Sequence, residues 1–123
     1  ADGWYEWQRI GSGKQPWYHH RGGDLFYMAG VYQPGIGCAV VTQGATEPLA
    51  EIHHRQPVLL DEQHLDEWLN SAQSSEELPT LEISLHPVSS RVGNTRYDDR
   101  DLTAPVNLDE ALLGQTADLF PED

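Results

Sequence analysis

Gly3-Trp4-Tyr5-Glu6-Trp7-Gln8, followed by Ile10-Gly11-Ser12-Gly13-Lys14-Gln15-Pro16 and then by Trp17-Tyr18-His19-His20, is the stretch whose reading sets the fold. From Gly3 to Gln8 aromatic and polar residues alternate, the period of a half-buried β-strand. The Gly and Pro residues between positions 10 and 16 mark a turn. Residues 17–20 then return as the second strand of a hairpin. Working outward, Arg21-Gly22-Gly23-Asp24 predicts another tight turn, and residues 25–32 an apolar strand. Ala29 and Gly30 in it are small enough for another backbone to approach. Gln33-Pro34-Gly35-Ile36-Gly37 turns again, and residues 38–42 read as a short buried strand centred on Ala39-Val40-Val41. Strands punctuated by turns in this way imply an antiparallel, meandering sheet or part of a barrel.

Helix enters later. Thr46-Glu47-Pro48-Leu49-Ala50-Glu51-Ile52 carries a cap-like Thr and an early Pro, predicting a short helix that leads into His53. Asp61 stands as the cap of a clearer helix, with Leu65, Trp68 and Leu69 at helical spacing. Residues 71–79 read as a polar loop, and residues 81–85 alternate as a strand that ends at His86-Pro87. Beyond Tyr97 the pattern decays into one or two helical turns over residues 108–113 and a frayed end. The fold class is therefore α+β: a predominantly antiparallel, barrel-like sheet with a few short helices.

A chain of 123 residues and 13.8 kDa holds one domain with a modest core. Its 38% hydrophobic content with four Trp and five Tyr argues for a folded protein. A mean hydropathy of −0.56 and the lack of any apolar run near 18 residues exclude a hydrophobic membrane-spanning helix. No basic stretch followed by an apolar one reads as a secretory signal. The one cysteine, Cys38, cannot close an internal disulfide and suits a reducing cytoplasm. Within Gly37-Cys38-Ala39-Val40-Val41 it reads as a buried structural thiol. His19-His20 and His53-His54 raise the question of zinc. Adjacent strand histidines point to opposite faces, however, and no third ligand stands at a standard spacing. No metal and no cofactor are expected.

The net charge of −13 ordinarily argues against a polyanionic partner. Its distribution softens that argument. Residues 1–60 hold five acids against four bases, while residues 98–123 hold eight acids against Arg100 alone. The acidity belongs to the tail.

Two residues stand out chemically. Glu6 lies between Trp4 and Trp7, and His53 follows Ile52 in Glu51-Ile52-His53-His54-Arg55-Gln56-Pro57-Val58. A carboxylate among large apolar rings has its charged form disfavoured, and imidazole titrates near neutrality unaided. Together they make a candidate acid/base pair. Taken by residue type alone, a strand Glu is a solubilising side chain and a His after a short helix a structural one.

The wider context weighs against those plain readings. Ala1-Asp2-Gly3-Trp4-Tyr5-Glu6-Trp7, Lys14-Gln15-Pro16-Trp17-Tyr18, the His53 segment, and His86-Pro87-Val88-Ser89 with Val92-Gly93-Asn94 occur in this order. From Ala1 to about Val106 the chain resembles the SOS-response-associated peptidase (SRAP) family. The resemblance implies an SRAP-like fold and covalent crosslinking to abasic sites in single-stranded DNA. In that family a cysteine directly after the initiator methionine is the nucleophile, freed by self-removal of the methionine. Its amine and thiol attack the ring-opened sugar aldehyde, giving a Schiff base and then a thiazolidine. By position Glu6 and His53 match the family's catalytic carboxylate and histidine, and Trp7 and Arg55 its DNA-facing residues. Gln56 replaces a position that is often basic or Met in the family, which implies a weaker grip on DNA.

No Met-Cys-Gly-Arg opening and no counterpart of the family's early active-site asparagine occur in these residues. They read as the C-terminal portion of an SRAP-like domain over residues 1–106, incomplete at its N-terminal side, with an acidic tail over 107–123. The expected partner is single-stranded DNA with abasic sites, and no membrane. Residence is cytoplasmic, and at the nucleoid when DNA is bound. Unpaired sheet edges also lead us to expect self-association or pairing with a missing N-terminal segment. Enzymatic activity belongs to the family, whereas this chain alone lacks the nucleophile. The alternative function is a non-catalytic SRAP-like remnant that binds single strands or a protein. A hydrolase built on Cys38 requires that thiol to be exposed beside His53.

Overall fold

A computed structural model of the chain describes residues 1–71 and 80–108. β1 (Gly3–Ile10) and β2 (Gly13–His20) form the hairpin that the alternation predicts, in register from Gly3 opposite His20 to Ile10 opposite Gly13. The turn is narrower than the Gly and Pro content implies. Gly11 and Ser12 make it alone, with Gly11 at φ +57°. Lys14, Gln15 and Pro16 are already strand. Pro16 is tolerated there because β9 (Ser84–Pro87) begins to pair with β2 only at Trp17. Buried Gln15 ties the same corner together, its amide donating to the carbonyls of Pro16 (2.8 Å) and Val88 (3.0 Å).

The three-stranded sheet β1-β2-β9 has two different faces. On one, Trp4 packs against a core of Phe26, Leu49, Leu59 and Ile83. Buried His19 lies beside it, ring centres 4.7 Å apart. On the other, the rings of Trp7, Tyr5, Tyr18, His20 and His86 touch in sequence, centroids 5.1 to 6.5 Å apart. Gly3 lies directly against the Tyr18 ring, where a Cβ would collide.

Beyond this sheet come three antiparallel ladders. β3 (Tyr27–Met28) pairs with β8 (Leu59–Leu60), β4 (Gly30–Gln33) with β5 (Gly37–Val40), and β6 (Thr42–Gly44) with β7 (Arg55–Pro57). The single strand expected over residues 25–32 is thus two, broken at Ala29. That residue's N–H donates to Val58 and its carbonyl accepts from Val41. Here Ala29, Val58 and Leu60 form a second core with Leu65 and Trp68. The architecture is α+β and mostly antiparallel, as expected, but it is not a closed barrel. Closure needs every strand paired on both sides, and β1 pairs only with β2 among the described residues.

A second correction concerns residues 38–42. β4 and β5 are exposed at every position, Cys38 included. Val31, Tyr32, Ile36 and Val40 are all more than half exposed. An apolar run reads as buried in a sequence, yet this ribbon meets no third strand among the described residues.

Helix α1 (Glu62–Ser71) starts where Asp61 predicts, the Asp61 carboxylate accepting the His64 N–H at 2.9 Å. Leu65 and Trp68 face the second core, whereas Leu69 is exposed. No helix among the described residues is long and apolar enough to cross a membrane. The loop expected after residue 71, and the tail from residue 109, lie outside the described residues.

Candidate active site

His53 is presented by a short turn rather than by a regular helix. Leu49–Glu51 forms one 3₁₀ turn after Pro48, with Leu49 and Ile52 buried beneath it. The His53 N–H closes back on the Leu49 carbonyl at 3.1 Å. Gln8 then docks this turn onto β1. Its Nε2 donates to the Glu51 carbonyl (3.0 Å), and its Oε1 accepts the Trp17 indole N–H (3.0 Å). On the far side, the Ala45 N–H donates to His54 O and the Thr46 N–H to Gln56 Oε1, each at 2.9 Å. Gln56 is therefore a buried strut of the His53 loop. Sequence reasoning also passed over Gln8, which shares the face of Trp4 and Glu6 by simple alternation.

These connections bring Glu6 and His53 together. Glu6 Oε2 lies 4.0 Å from His53 Nδ1, with the side chains 25% and 38% exposed. That distance carries Coulombic coupling but exceeds a direct hydrogen bond. Both line a cavity of about 550 Å³ with Trp7, Gln8, Arg9, Lys14, Glu51 and His54. Among the described residues β1 is an edge strand, and residues from both of its faces line this space.

Burial holds the Glu6 pKa above the ordinary carboxylate range; the His53 imidazole opposes it, as do the Trp4 indole and His54. Trp4 Nε1 is itself buried without a hydrogen-bond partner among the described residues. Its pull on Glu6 is that of a through-space dipole rather than a formed bond. His53 Nδ1 is engaged locally, 3.0 Å from Arg55 O and 3.1 Å from Arg55 N. That leaves Nε2 as the nitrogen for a substrate. The His54 ring stacks on His53 at 4.6 Å.

The other expected residues divide. Trp7 is 37% exposed and lines the cavity. Arg55 does not line it: its guanidinium donates to Thr42, to the carbonyl at 2.9 Å and to Oγ1 at 3.1 Å. Cys38 lines a separate hollow with Val31, Tyr32 and Ile36, where His53 has no part. Its exposure corrects the buried-thiol reading, and its position still denies it a base.

Residues 1–95 match the family model for SOS response associated peptidase (SRAP). The chain belongs to the SRAP family. Among curated SRAP relatives it is 33% identical to abasic site processing protein YedK of Escherichia coli, over 86% of this chain and 55% of that one. It is 31% identical to abasic site processing protein HMCES of Gallus gallus, over 88% of this chain and 43% of that one. The chain thus spans about half the length of the curated relatives it matches. A crystal structure of a Bacteroides thetaiotaomicron protein superposes with a TM-score of 0.70 at 20% identity, covering 87% of this chain and 55% of that one. It supports the fold.

Proposed function

We propose that this chain supplies the proton-transfer part of an SRAP centre that processes abasic sites in single-stranded DNA. One observation carries the reading. Glu6 and His53 stand 4.0 Å apart in one cavity, in a family whose curated relatives are named abasic site processing proteins. The chemistry is capture of the sugar aldehyde by a leading cysteine, released by removal of the initiator methionine and supplied from the part of the domain preceding these residues. An amine attacks only when deprotonated. Glu6, with its pKa raised by burial, is suited to take that proton. His53 holds Nε2 ready to move a proton at the sugar hydroxyl. Trp7 offers a face on which a neighbouring base stacks. Arg55 contributes through Nη1, since Nε and Nη2 are committed to Thr42.

This reading predicts preference for an unpaired strand, because a base stacks on Trp7 only when freed from its complement. In fluorescence anisotropy, a single-stranded oligonucleotide with one tetrahydrofuran abasic analogue binds more tightly than the same sequence in duplex. Trp7→Ala weakens that binding by roughly 1–3 kcal/mol, the value of one stacked base. Equal affinity for duplex and single strand contradicts the reading.

A further inference from the structure

The geometry points to a phosphate subsite formed by Arg9 and Lys14 on the rim of the Glu6–His53 cavity, gripping the DNA backbone beside the abasic sugar. This inference rests on reading the cavity as the DNA-processing site. The two residues are direct cross-strand partners, Arg9 on β1 opposite Lys14 on β2, and both are exposed and line the cavity. Opposed residues in a ladder have Cα atoms about 4.5–5.5 Å apart. Like charges at that separation destabilise the hairpin. Nothing in the fold offsets the cost, for among the described residues neither cation is paired with a carboxylate. An anion between them removes the repulsion. Arg provides a planar fork for phosphate oxygens, and Lys a mobile point charge.

The overall charge makes such a grip necessary. With −13 in total, the molecule repels DNA except where cations gather. Two of its seven Lys and Arg residues share this one rung. Glu6 and Glu51 line the same cavity, and their carboxylates disfavour a phosphate beside them, which leaves the two cations as its anion-attracting groups. Three residues along a strand separate Glu6 from Arg9, about 10 Å. Arg9 and Lys14 nevertheless line the same cavity as Glu6. A sugar at Glu6 and His53 would then place its adjacent phosphate on the Arg9–Lys14 rung.

The test is the anisotropy titration of the chain with the tetrahydrofuran oligonucleotide from 50 to 200 mM salt, for wild type, Arg9→Ser/Lys14→Ser, and Arg21→Ser/Arg96→Ser. The second variant makes the same change in charge away from the cavity. Arg9, Lys14 and Arg96 are exposed and Arg21 is half-buried, and unchanged circular dichroism verifies the fold of both variants. We expect the Arg9/Lys14 variant to bind roughly tenfold more weakly, with a log–log salt slope shallower by about 0.7, the value of one phosphate contact on a single strand. The control is expected to match wild type in slope. Equal slopes for all three proteins, or equal losses in both variants, overturn the phosphate subsite and leave the proposed function standing. A wild-type chain that binds no single strand overturns both.

Discussion

Single-stranded DNA carrying an abasic site, incubated with this 123-residue chain and heated in denaturant, is expected to migrate as free DNA. A thiazolidine needs an amine and a thiol on one residue, and nothing here offers both. The Ala1 α-amine can form only an imine, which hydrolyses unless borohydride reduces it. It is also occupied, donating to the Phe26 carbonyl at 2.7 Å. Lys14, the one lysine, has no thiol beside it, and the Cys38 thiol lines a different hollow. Adding the leading half of an SRAP domain, with its N-terminal cysteine, is expected to produce a heat-stable adduct. In that assembly Glu6→Gln and His53→Gln should each slow adduct formation by about 10²–10⁴-fold, the usual weight of a general acid or base. A heat-stable adduct from the chain alone, without reductant, reveals another nucleophile and refutes this chemistry. Denaturing gel electrophoresis of a labelled oligonucleotide reads every case.

The second large effect is on stability, and it arises at His19. Burial lowers the His19 pKa from its ordinary 6.5 to about 4, partly opposed by the Trp17 carbonyl at 3.4 Å. The folded state therefore binds a proton less readily than the unfolded chain. Stability from this residue is fully present above pH 6.5 and is lost as pH falls toward 4. Over that window the loss is about 3 kcal/mol. Thermal melts at pH 7 and pH 4.5 are expected to differ far less for His19→Leu than for wild type. Leu fills the space beside Trp4 without a group to protonate. Equal acid sensitivity in the two proteins would show that His19 is not the titrating group. Glu6 acts with the opposite sign. Its raised pKa means that the folded state loses stability as pH rises through that value. Glu6→Gln should accordingly melt higher than wild type at neutral pH, a cost of holding a proton-transfer group in a buried site.

Much of this site is legible in the amino-acid sequence. The β1–β2 hairpin follows from strict alternation closed by a Gly-containing turn, and both signals are local. Asp61 and the Leu65–Trp68 spacing likewise define α1 from neighbouring residues alone. Glu6 and His53 are legible as residue types among apolar neighbours, and the SRAP segments point to their pairing. What stays hidden depends on long-range packing. The ribbon Gly30–Val40 is apolar yet exposed, which only the absence of a covering layer among the described residues can reveal. Gln56 and Gln8 are struts because of carbonyls and N–H groups up to 43 positions away. Arg55 turns to Thr42 because β6 and β7 happen to pair. Arg9 and Lys14 are visible as charges, but their opposition on one rung is a fact of register.

The most direct measurement of the central claim, that Glu6 and His53 form one coupled acid/base centre, is the carboxyl titration of Glu6 by carbon-13 NMR in wild type and in His53→Gln. Glu6 is expected to titrate above the ordinary carboxylate range in wild type, because burial disfavours its anion. In His53→Gln it should move higher still, because the strongest influence that favours the anion has been removed. A Glu6 that titrates like an exposed carboxylate and does not move in His53→Gln would contradict the account.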